Sequence, residues 1–157
     1  MPSPSLPAVL AYCRPGFEGE CAQELAALDA QAGGGGFARA ARGSGFVEFV
    51  APAADAIAGT WRRLVFARQL LRVLGRAHAL PTRDRLGVLL PIIEDARLAV
   101  GAHGWCDAWV EAPDSDAARE LAPLSLGLEA ALIAALRKQP SIDRASPWRL
   151  HVCLTST

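Results

Sequence analysis

Nine arginines fall between residues 37 and 85: Arg39, Arg42, Arg62, Arg63, Arg68, Arg72, Arg76, Arg83 and Arg85. A guanidinium stays charged and presents a planar fork of N–H donors, so such a run suits phosphate. Contacts of this kind with RNA fall mostly on the backbone and tolerate loose spacing. An arginine-rich solvated surface has the same pattern, and the residues alone leave both readings open. The chain is formally neutral, yet residues 1–36 carry −3, residues 37–85 carry +6 and residues 86–157 carry −3. The middle segment is therefore the candidate electrostatic footprint.

The other reactive side chains form no catalytic pattern. His78, His103 and His151 are far apart, with no serine or cysteine beside them in a recognisable nucleophile setting. Glu94-Asp95 reads as a solvated helix face, and Asp114 with Asp116 as a helix start. Cys13, Cys21, Cys106 and Cys153 are scattered, with no Cys-x-x-Cys pair and no histidine at metal-ligand spacing, so reduced, buried thiols are expected. Cys13 and Cys21 could meet across a strand–helix turn, although a cytosolic setting disfavours a disulfide there. Gly33–Gly36 and Gly43-Ser44-Gly45 each lead into a strand, whereas a phosphate cradle needs its glycines between a strand and a helix. No catalytic, metal or cofactor-binding residue is expected.

The elements that must carry these residues follow from periodicity. At 157 residues the chain can bury a core as one domain or two small ones. No apolar run is long enough for a bilayer, and Met1-Pro2-Ser3-Pro4-Ser5 lacks the features of a signal peptide. The expectation is a cytoplasmic protein with no membrane partner. Residues 7–13 read as a strand closed by Arg14-Pro15-Gly16, and Phe17, Cys21, Leu25 and Leu28 share one helical face. Glu18, Glu20 and Glu24 lie where acidic groups favour a helix start. Gly33–Gly36 is expected to be a flexible loop. Residues 37–41 and 46–50 flank a glycine turn as a hairpin, and a second helix is expected over residues 53–61.

Residues 64–76 are ambiguous, since Leu64, Leu71 and Leu74 suit a helix whereas strand parity aligns Phe66, Arg68, Leu70, Arg72, Leu74 and Arg76; pattern alone leans to helix. Thr82 is expected to cap a helix with Leu86, Leu89, Leu90, Ile93 and Val100 on its face and Pro91 kinking it. A strand over residues 105–111, a helix in two pieces around Pro123 and Gly127, and a final strand over residues 148–154 complete the series.

Cys13-Arg14-Pro15-Gly16-Phe17-Glu18 with Glu20-Cys21-Ala22, then Phe66-Ala67-Arg68-Gln69, Asp84-Arg85, and Ala130-Ala131-Leu132 with Ala134-Ala135-Leu136-Arg137 resemble the amino-terminal part of the bacterial large-subunit ribosomal RNA 2′-O-ribose methyltransferase M (RlmM) family. The resemblance implies an α+β chain: a ferredoxin-like β-α-β-β-α-β domain over residues 1–79, then an incomplete THUMP-type α/β RNA-binding domain over residues 80–157. It tips residues 64–76 from helix to strand. It also implies, for the full-length family, a Rossmann-like catalytic domain that uses S-adenosylmethionine to methylate the 2′-hydroxyl of a cytidine in 23S rRNA. That chemistry uses a Lys-Asp-Lys-Glu set, which a chain with Lys138 as its single lysine cannot supply. The chain alone is therefore expected to be inactive and to bind no cofactor. Its expected partners are 23S rRNA or a large-subunit precursor and its own carboxy-terminal methyltransferase domain.

From local charge, the candidate RNA contacts are Arg62, Arg63, Arg68, Arg72, Arg83 and Arg85, with Arg14 added for its turn position. Arg14 could equally anchor that turn by bonding backbone carbonyls. Two other classes are distinguishable: a ferredoxin-like regulatory or dimerisation module without nucleic-acid binding, and a small enzyme using Cys13 or Cys106.

Overall fold

The computed structural model describes residues 6–139 and 141–155. In chain order the elements are β1 (Ala8–Cys13), α1 (Glu18–Gln31), β2 (Phe37–Ala40), β3 (Phe46–Val50), α2 (Ala54–Gly59), β4 (Ala67–Val73), α3 (Arg85–Ala99), β5 (Asp107–Glu111), α4 (Asp116–Arg119), α5 (Ala122–Lys138) and β6 (Arg149–Cys153). A single 3-10 turn, Trp61–Arg63, joins α2 to β4. Two compact units result: the chain up to Val73 together with Pro113–Arg119, and Leu74–Ala112 together with Glu120–Thr155.

In the first unit the sheet order is β2-β3-β1-β4, with every neighbouring pair antiparallel. This is the ferredoxin-like β-α-β-β-α-β arrangement. Strand β1 is almost wholly buried, so each of its edges needs a hydrogen-bonding partner. β3 supplies one and β4 the other. That requirement overrides the helix-like leucine spacing of residues 64–76 and makes residues 67–73 a strand. The pairing shifts between Tyr12 and Cys13, which skips Arg68, while Leu70 faces Ala11 over the core.

The first core joins Val9, Ala11 and Cys13 to Val47, Phe49, Cys21, Leu25 and Ile57. Helix α1 contributes a buried stripe of Glu18, Cys21, Leu25 and Asp29, apolar in the middle and acidic at both ends. Phe17, expected on that face, is instead exposed and stacks on Phe66 at 5.8 Å between ring centroids. Burying a carboxylate is costly unless donors surround it. The Glu18 carboxylate accepts from the Gly16 N–H at 3.0 Å and the Gly45 N–H at 2.9 Å. Asp29 Oδ2 accepts from the Gly36 N–H at 2.7 Å. From outside that stripe, Glu24 accepts from the N–H groups of Val65 (2.6 Å) and Phe66 (3.0 Å). Three acidic groups of one helix thus hold four loops, a more specific role than favouring the helix start.

The glycine segment is fitted rather than slack. A methyl group at Gly36 would lie 2.6 Å from the Val50 carbonyl oxygen, and one at Gly34 would overlap the Asp29 carboxylate. Gly35 faces open space.

In the second unit β5 and β6 are parallel, with Trp109 opposite His151. Leu89, Ile93 and Ala96 of α3 and Leu128, Leu132 and Leu136 of α5 pack with Ala108, Val110 and Leu150. Leu74, Ala77 and Leu80 join this core. Asp84, not Thr82, caps α3: its φ is 56° and its Oδ1 accepts from the Gly87 N–H at 3.1 Å. The carboxylate sits three residues before the orphan N–H, the spacing an N-cap needs. Helix α5 runs unbroken through Gly127, with Pro123 in its first turn, where a missing N–H is harmless. The break expected at Pro123 and Gly127 falls instead at Glu120–Leu121. Glu129 of α5 accepts from the Val110 N–H at 2.8 Å, satisfying a donor of β5.

Two outcomes follow for the first unit. Burial raises the Glu18 pKa, but the N–H groups of Gly45, Glu18 itself, Gly43 and Gly16 outweigh it and hold the carboxyl below its ordinary 4.5. With the folded value depressed, its stabilisation is complete above pH 4.5 and disappears as pH falls through the folded value. Glu18→Gln should lower stability by about 2 kcal/mol at pH 7 in denaturant melts, with the gap to wild type closing in acid. Gly36→Ala should cost about 2 kcal/mol by overpacking, whereas Gly35→Ala should stay near neutral in the same melts.

Candidate nucleic-acid interface

The first unit has an open cleft of about 360 Å³ where the β1–α1 turn, the β2–β3 turn, β4 and the 113–119 segment meet. Arg14, Arg68 and Arg119 line it with Gly43, Asp114 and Asp116. Glu18 fixes the rim, since it bonds Gly16 of one turn and Gly45 of the other. The Gly45 carbonyl in turn accepts from the Cys13 N–H at 2.9 Å. A side chain at Gly45, whose φ is 76°, would reach the Asp114 carbonyl oxygen at 3.4 Å, so the 113–119 segment lies close against this turn.

Charge in the cleft is loosely neutralised. Arg68 stands 3.8 Å from Asp114 and Arg119 stands 3.0 Å from Asp116, both pairs largely exposed. Exposed pairs of this kind are weak and exchange readily for another anion. Among the described residues the Arg14 guanidinium has no hydrogen bond or ion pair, and it lies 6.0 Å from the Phe17 ring centroid. The carboxylate of Glu18, not Arg14, anchors the turn.

The remaining candidates are dispersed. Arg63 donates to Gln31 Oε1 at 2.8 Å, Arg62 lies 5.5 Å over the Trp61 ring, and Arg72 pairs with Asp55 at 2.8 Å. None of these three lines the cleft. Arg83 and Arg85 belong to the second unit, beside the Asp84 cap. Of the sequence-chosen arginines, the cleft therefore gathers Arg14 and Arg68. It adds Arg119, which charge summation missed because this residue sits in the net-acidic segment 86–157.

Among the described residues, no group of three or more His, Cys, Asp or Glu side chains is placed to hold a metal ion. No described helix is long and apolar enough to cross a membrane. None of the four cysteines, all of them described, forms a disulfide. Cys13 and Cys21 are buried, whereas Cys106 and Cys153 are only partly so, short of the full burial expected for all four.

The first unit is thus a ferredoxin-like domain with arginines gathered at the turn end of its sheet. Residues 6–71 match the sequence model of the RlmM ferredoxin-like domain. The chain is 41% identical over 150 residues to ribosomal RNA large subunit methyltransferase M of Xanthomonas axonopodis pv. citri and to that of Xanthomonas campestris pv. campestris. It is 39% identical over 153 residues to the one from Xanthomonas euvesicatoria pv. vesicatoria. Each match covers 92% of this chain and 42% of the relative, so the chain spans about two-fifths of the length of these curated relatives. Over these spans the chain is similar to the RlmM family, and residues 6–71 match the ferredoxin-like domain of that family.

Thiol chemistry gives a check on the first core. Burial pushes the Cys21 thiol up to about 12 and also raises Cys13. With thiolate suppressed, neither should react with a maleimide or disulfide reagent in the native protein at pH 8. Cys106 and Cys153 should label first, with Cys13 and Cys21 following at the rate of unfolding, as read by peptide mass mapping.

Proposed function

We propose that this chain is the RNA-recognition part of an S-adenosylmethionine-dependent methyltransferase that acts on the 2′-hydroxyl of a cytidine in 23S rRNA. In this reading the second unit is a THUMP-type domain, and the two units deliver the RNA to a separate catalytic domain in the cytoplasm. The observation that carries the proposal is the cleft in which Arg14, Arg68 and Arg119 gather, within a chain whose relatives are ribosomal RNA methyltransferases. Unpaired or loosely paired guanidinium groups at a fixed rim suit a phosphate backbone, because they can exchange weak protein partners for charge-assisted bonds to phosphate oxygens.

In this reading the methyl donor is held by the catalytic domain. The glycine segments at 33–36 and 43–45 enter β2 and β3 rather than helices, so they present no amide cradle of the nucleotide-binding kind. The side chains proposed here bind and orient RNA, and the transfer step belongs elsewhere.

Binding of a large-subunit rRNA fragment across a salt series tests this directly. Wild type should bind with an affinity that falls steeply with salt. Arg14→Glu combined with Arg68→Glu should weaken binding and flatten the log–log slope by about 1.5, as expected for two lost phosphate contacts. The double variant Arg62→Glu/Arg63→Glu, away from the cleft, should change the slope less. A folded wild type that does not bind the fragment would refute the proposal.

A further inference from the structure

The β5–β6 pair has two different faces. Ala108, Val110 and Leu150 pack into the core, while Asp107, Trp109 and Glu111 alternate to the other side with Arg149, His151 and Cys153. Trp109 is 42% exposed there. An indole on a strand face is ordinarily covered by a neighbour, yet here polar side chains frame it. Its N–H donates to Asp107 Oδ2 at 2.7 Å, which fixes the ring. The Arg149 guanidinium lies 4.9 Å over the ring centroid, and the His151 ring meets its edge at 5.5 Å. His151 is itself held, with Nδ1 3.0 Å from Glu111 Oε1.

We infer that Trp109 is a stacking platform for an unpaired nucleobase of RNA, with Arg149 holding the phosphate of the same nucleotide. The inference rests on the RNA-recognition reading and adds the kind of RNA recognised: a single-stranded or splayed-out nucleotide. One exposed aromatic ring inside a charged frame offers a protein partner little apolar area. The exposed part of the ring offers a flat base a stacking surface, and Arg149 beside it gives the adjoining phosphate a cation. Of the two carboxylates on this face, Asp107 is engaged with the indole and Glu111 with the imidazole. Stacking on aromatic side chains is the sequence-tolerant means by which proteins hold unpaired bases.

The test compares a single-stranded oligoribonucleotide with a hairpin of the same sequence, on wild type, Trp109→Ala and Trp109→Phe, each across a salt series. Trp109→Ala should weaken single-strand binding about tenfold, the size of one lost base stack, with the salt slope unchanged. Trp109→Phe should recover most of that affinity, and the hairpin stem should respond little. Equal affinity of wild type and Trp109→Ala for the single strand would overturn the platform while leaving the arginine cleft standing. Absence of any RNA binding by wild type would overturn both.

Discussion

Everything placed at the turn end of the first sheet depends on one buried carboxylate. Glu18 begins α1 at 3% exposure, and a carboxylate so withdrawn from water is tolerable only when donors replace the water. Its donors are backbone N–H groups of two different turns, Gly16 before the helix and Gly45 in the hairpin. Because one side chain satisfies both, the turns cannot shift independently without stranding it. That coupling sets Arg14 and Gly43 on one rim, with Arg68 entering from a bulged part of β4. At the other end of the same buried stripe Asp29 accepts from Gly36 of the following loop, and Glu24 accepts from the segment leading into β4.

Much of this fold was legible in the chain. The β1 run, the hairpin around Arg42–Gly45 and the leucine row of α5 are short-range patterns, and each became the expected element. Residues 64–76 were not legible by pattern, because their leucines satisfy a helix locally while the unpaired edge of β1 demands a strand. Only the family resemblance pointed the right way. The Thr82 cap failed for a similar reason: two capping residue types lie two positions apart, and the choice between them rests on backbone geometry.

The site was less legible than the fold. Charge summation found a basic segment, but the sheet separates its members, so Arg63 and Arg72 bond to Gln31 and Asp55 while Arg68 reaches the cleft. Arg119 gave no signal, since it comes to the cleft through tertiary placement of a four-residue helix. The acidic residues of α1 were visible, yet their periodicity suggested only a favourable helix start. Which loop N–H each would accept is a long-range fact. The two units also present different chemistry to RNA in this account, guanidinium groups for phosphate in the first and an exposed indole for a base in the second.

The most direct measurement of the central claim is amide hydrogen exchange with and without a large-subunit rRNA fragment. New protection should be concentrated in residues 14–18, 42–46 and 114–119 of the first unit, the segments around the cleft. Protection confined to other surfaces, with these three segments exchanging as in the free protein, would contradict it.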